Sequence, residues 1–131
     1  MTTNTNTAVV LIDPYNDFLH PDGKLYGLIK ESLETTDSVT HMKEAVTAAR
    51  EKHIPIFYGL HQQYKEGHYD GWEHLAASHV RIKRNKVFAE GTWGAEIYEG
   101  LEPDLKNGDV TASKHWNSRP VSRLSPRPIC Y

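Results

Sequence analysis

Ala8 to Phe18 reads AVVLIDPYNDF, five apolar residues that run straight into Asp13 and then into a turn. A short continuous run of Val, Ile and Leu bounded by turn residues reads as a strand buried on both faces, as in a parallel sheet. Pro14 has no N–H to donate to a ladder and ends that strand. Asp13 then stands at its carboxyl end, where open α/β sheets place their chemistry.

Working outward, residues 15–24 read as a loop with a Pro21-Asp22-Gly23 turn, and Leu25 to Glu34 is ambiguous. From Asp37 the pattern becomes helical, because Val39, Met42, Val46 and Ala49 recur at spacings of three, four and three. Asp37 or Ser38 supplies an N-cap, and Arg50, Lys52 and His53 crowd the far end, where cations favour the helix dipole. Ile54 to Leu60, IPIFYGL, is a second buried strand, so strand, helix and strand make a βαβ unit that brings His61 to the same sheet edge as Asp13. A polar loop follows over 62–70, and 71–85 has room for a helix through Trp72, Leu75, Ala76 and His79. Glu90-Gly91-Thr92 opens a short helix around Ala95, Ile97 and Tyr98. The turn at Asn107-Gly108-Asp109 precedes a third strand, Val110 to Lys114, which makes Lys114 the third candidate at that edge.

At 131 residues the chain reads as a single domain, and with 38% hydrophobic residues its core is lean. Fifteen basic against seventeen acidic residues provide no polycation for nucleic acid and no basic amphipathic segment for a membrane surface. The expected partner is a small molecule or a protein. The single cysteine, Cys130, rules out an intrachain disulfide, and the start of the chain has neither the charge nor the apolar length of a signal or a span. A cytoplasmic location is the expectation. The sequence contains no Gly-rich phosphate loop, CxxC pair or GxSxG elbow. What remains is Asp13, His61 and Lys114. On spacing alone each has a plain alternative, since a strand-end Asp often caps the next loop and a strand-end Lys is often merely solvated.

Three motifs add to this. Asp13 is followed by Asn16-Asp17-Phe18, then comes Gly91-Thr92-Trp93-Gly94-Ala95-Glu96-Ile97, then Gly108-Asp109-Val110 through Ser113-Lys114-His115-Trp116-Asn117-Ser118. In order and spacing they resemble the isochorismatase-like family of cysteine hydrolases, which also contains nicotinamidases and N-carbamoyl amidohydrolases. The resemblance implies an α/β domain with a Rossmann-like parallel sheet and helices on both faces, here over 8–118 between a disordered tail, 1–7, and an Arg/Pro/Ser tail, 119–131. It also implies hydrolysis of a small amide or vinyl ether through an Asp-Lys-Cys triad, without a cofactor. A cysteine thiolate attacks, Asp13 carries the thiol proton, and Lys114 keeps the thiolate ionised.

The nucleophile is the part that does not match. The family pattern stops after Ser118, and Cys130 lies only 16 positions beyond Lys114, with Pro120, Pro126 and Pro128 between or beside them. A helix, a strand and two loops need about 19 residues or more. Cys130 also lies one residue from the last position, without a following helix to supply an oxyanion hole. The expectation is a C-terminally truncated or divergent member whose sheet is incomplete after the third strand, with one face and one edge uncovered. Such a chain keeps Asp and Lys but is inactive alone. The alternative is a non-catalytic fragment or splice variant that binds a full-length homologue.

His61, His68, His74 and His79 raise the question of zinc, because nicotinamidases of the family hold a metal on an Asp-x-His pair and two more histidines. Gly59 stands two before His61, where the carboxylate ligand belongs, so no metal is expected. The strand-end and aromatic residues Phe18, His61, Trp72 and Trp93 are expected to line the substrate pocket.

Overall fold

The structure, a computed structural model, describes residues 6–114, with the backbone alone for Lys114. The stretch 119–131, Cys130 included, and most of the tail expected over 1–7 lie outside the described residues.

Three parallel strands form one sheet in the order β1-β2-β3: β1 (Val9–Ile12), β2 (Ile56–His61) and β3 (Val110–Lys114). The register pairs Val9 with Ile56, Phe57 with Val110 and His61 with Lys114. Asp13 follows β1 directly, and its N–H donates to the Gly59 carbonyl at 3.1 Å. The carboxyl edge of the sheet therefore carries Asp13, His61 and Lys114, as the apolar runs imply.

The helices are α1 (Asn16–Leu19), α2 (Tyr26–Thr35), α3 (Ser38–Glu51) and α4 (Ala77–Asn85). The ambiguous stretch after Leu25 is thus helical. Side chains alternate across a strand. Leu11, Ile56 and Tyr58 are buried on one face with Val46 and Ala49 of α3 and with Leu101. On the other face Val10, Ile12, Phe57 and Val110 are 41–54% exposed, so among the described residues helices cover one face of the sheet, not two. Parallel strands are normally covered on both faces.

Asp37 is the N-cap of α3, but its side chain accepts from the Thr40 hydroxyl at 2.8 Å and makes no cap bond to a helix N–H. The helix expected within 71–85 begins only at Ala77, because Gly67 and Gly71 take positive φ of 78° and 79° and the chain turns instead. The segment around Ala95 is a single 3-10 turn, Trp93–Ala95. Beyond the carboxyl edge a second cluster collects Tyr15, Leu25, Tyr64, Tyr69, Ile82 and Phe88. It forms the wall against which the site is built.

Candidate active site at the carboxyl edge

Asp13 is a half-buried residue with φ of +51°, a left-handed conformation that costs an L-residue about 1 kcal/mol and that Asp tolerates better than most. Its Oδ1 accepts the His61 N–H at 2.6 Å, a short charge-assisted bond that fixes the carboxylate across the β1–β2 seam. On the other side of the same residue the His61 carbonyl accepts the Tyr15 hydroxyl at 2.7 Å. Burial, and then the neighbouring Asp13 charge, push the Tyr15 phenol far above its ordinary range, so it stays a protonated donor. The backbone of His61 is thereby clamped from both sides by the motif that begins at Asp13.

Asn16 and Asp17 do something else. Asn16 donates from Nδ2 to the Trp93 carbonyl at 2.9 Å, and its N–H bonds to the Glu96 carbonyl at 2.9 Å. Asp17 is buried and accepts the N–H of Phe88 at 2.8 Å and of Lys24 at 3.1 Å. Phe88 itself has a φ of +52°, and the Asp17 bond holds it there. Gly94 packs so closely that a Cβ would land on the Asp17 carboxylate. Two of the three motifs are therefore parts of one brace behind the site.

In front of that brace lies a cavity of about 370 Å³, near the low end for small-molecule sites. Asp13 and His61 form its sheet-edge end, Phe18 and Phe88 form an aromatic wall, and Leu28 and Ile29 of α2 form the opposite wall. Arg81 and Ser78 of α4 complete it. Sequence reasoning named Asp13, Phe18 and His61 here but missed Phe88 and Arg81. The signals were weak: a Phe after a basic run, and an Arg three residues from a Ser on a short helix.

Neither Trp72 nor Trp93 lines this cavity. Trp72 packs edge-on to Tyr69 at 5.3 Å and near His79 at 6.0 Å, inside the second cluster. Trp93 is 44% exposed and meets His20 edge-on at 4.7 Å. Lys114 holds the register position beside His61, one strand further from Asp13. His79 lies 6.5 Å from His61 ring to ring, and burial, followed by the His61 charge, holds its pKa below the ordinary histidine value. Among the described residues no three His, Cys, Asp or Glu side chains converge on a metal position. None of the described helices is long and apolar enough to cross a membrane.

Comparison with known proteins agrees with this geometry. No curated protein matches the chain. Among solved structures, a cysteine hydrolase from Pseudomonas syringae pv. phaseolicola 1448A superposes with a TM-score of 0.52 at 22% identity. The match covers 82% of this chain and 45% of that one, so the chain spans less than half the length of the protein it resembles. The Isochorismatase domain model matches residues 7–122, nearly the whole chain. The chain belongs to the isochorismatase family, with the α/β fold of its cysteine hydrolases.

Proposed function

We propose that the carboxyl edge supplies the Asp and Lys of a hydrolase site for a small-molecule amide or vinyl ether, the nucleophile being a thiolate that comes from outside this chain, from a second protein chain or, in its place, an added small thiol. The observation that carries this reading is Asp13 itself. It stands just past β1 in a strained conformation, anchored to His61 and exposed to a cavity of ligand size. Backbone strain at a site-facing carboxylate has no value for stability.

On an amide the reaction balances as follows. The thiol proton goes to Asp13, sulfur bonds to the carbonyl carbon, and the C–N bond breaks as Asp13 returns the proton to the leaving amine. Water then hydrolyses the thioester. Lys114, beside His61 in the register, favours the thiolate by its charge. Cys130 is set aside as the source of the sulfur on sequence grounds: it comes 16 positions after Lys114, with Pro120, Pro126 and Pro128 between them, where a helix, a strand and two loops take about 19 residues or more.

The test is turnover of small amides, N-carbamoyl amines and vinyl ethers with and without an added small thiol, in the natural chain, Cys130→Ala and Asp13→Asn. Thiol-dependent turnover that survives Cys130→Ala and is lost in Asp13→Asn is the expected result. Turnover abolished by Cys130→Ala would make Cys130 the nucleophile. No turnover under any condition would favour a second reading, a non-catalytic chain that binds a full-length homologue. The half-exposed face of Val10, Ile12, Phe57 and Val110 supports that alternative, because apolar sheet faces of this kind mark protein contacts.

A further inference from the structure

Among the described residues Arg81 is the one guanidinium that lines the cavity, and the proposed reaction does not use it. Ser78, Arg81 and Ile82 are spaced three and four apart on α4 and line the cavity together, so one face of the helix is turned to it. Of the neighbouring cations, Lys83 bonds to Asp70 at 3.1 Å and Lys86 to Glu66 at 3.4 Å, and Arg84 does not line the cavity. Arg81 makes no salt bridge among the described residues. The remaining lining is apolar apart from Asp13, His61 and Ser78.

We infer that Arg81 is a specificity residue that binds an anionic group, most simply a carboxylate, on a small ligand whose apolar body lies between Phe18, Phe88 and the α2 wall. The inference deepens the hydrolase reading and rests on the same cavity. A guanidinium offers a planar fork of donors that matches a carboxylate, and it is charged at every accessible pH. Asp13 acts in the opposite sense. Its carboxylate repels an anion, so an anionic ligand enters one way round, with the charged end at Arg81 and the neutral, reactive end toward Asp13. A neutral ligand of the same shape has no such orientation.

Benzoate and benzamide, titrated into the natural chain and followed by amide chemical shifts in NMR, form a matched pair of probes. Benzoate is expected to bind about tenfold more tightly than benzamide, as a charge-assisted contact predicts, and to lose part of that advantage in high salt. Arg81→Gln should bring the ratio close to one, with benzoate affinity falling by far more than benzamide affinity, and Arg81→Lys should restore part of the preference. A ratio near one in the natural chain, a ratio unmoved by Arg81→Gln, or binding of neither probe would overturn the inference. Turnover is scored separately. If the ratio behaves as stated and no thiol-dependent turnover appears, the hydrolase reading fails and the anion subsite stands; the converse result removes the subsite alone.

Discussion

Two aspartates mark the two ends of the same sheet, and their surroundings are opposite. Asp109, just before β3, is 4% exposed and filled on both oxygens. Oδ1 accepts the Ile56 N–H and the Asn107 amide, each at 2.9 Å, and Oδ2 accepts the Asp104 N–H at 2.9 Å and the Arg50 guanidinium at 3.2 Å. Asp13, just after β1, bonds to one backbone N–H of β2, sits in a strained conformation and faces a cavity. The amino edge is closed with hydrogen bonds, and the carboxyl edge borders a cavity. The same side chain thus serves the scaffold at one end, and at the other is the one proposed to carry the chemistry.

The largest effect expected from this contrast is at the scaffold end. Asp109→Ala leaves two backbone N–H groups and Arg50 without their acceptor and should cost about 3 kcal/mol in chemical denaturation, as removal of one partner of a buried pair does. Acid should reach the same site. Burial raises the Asp109 carboxyl pKa, but the bonds from Asp104, Asn107, Ile56 and Arg50 outweigh it and hold the value below the ordinary one. A depressed carboxyl pKa contributes stability that is complete above about pH 4 and is lost as pH falls through the folded value. Asp109→Asn should therefore flatten the acid limb of the stability profile relative to the natural chain.

Gly94→Ala tests the brace between the two motifs, because its Cβ would collide with the Asp17 carboxylate that holds Phe88. A loss of about 2 kcal/mol and altered Phe88 amide shifts are expected. Tyr15→Phe removes the buried bond to the His61 carbonyl and should cost about 1 kcal/mol, with little effect at Asp109. Asp13→Gly sets two effects against each other: it relieves the positive φ, about 1 kcal/mol, but removes the charge-assisted bond to the His61 N–H, about 1.5–3 kcal/mol, so a net loss of about 1 kcal/mol is expected in chemical denaturation.

The contrast also explains what was legible in the sequence. Apolar runs made β1 and β2 readable, and the Asn107-Gly108-Asp109 turn made β3 readable, so the edge they share followed, whereas burial on both faces did not: Val10, Ile12, Phe57 and Val110 are 41–54% exposed. The period of Val39, Met42, Val46 and Ala49 declared α3 in the same way. Leu25, Leu28, Ile29 and Leu33 also recur at helical spacing, but Gly27 in the first turn and a face that is half cavity wall obscured α2. The site was harder. A left-handed Asp13, the Tyr15 clamp and the placing of Arg81 depend on contacts across 46 residues or more of chain or on local dihedrals, which no spacing rule reports. The aromatic residues misled for the same reason: Trp72 and Trp93 lie near the edge in sequence order, but one is packed into the second cluster and the other onto His20.

The most direct test of the division between the two edges is the thiol-dependent turnover of Asp13→Asn, with its melting temperature measured on the same sample. Asn keeps an oxygen for the His61 N–H and tolerates a positive φ, so the fold should melt within about 3 °C of the natural chain. Turnover should fall by about 10² or more, the contribution of a general acid and base. A variant that melts normally and still turns over at the natural rate would contradict the account, since Asp13 would then be one more scaffold residue like Asp109.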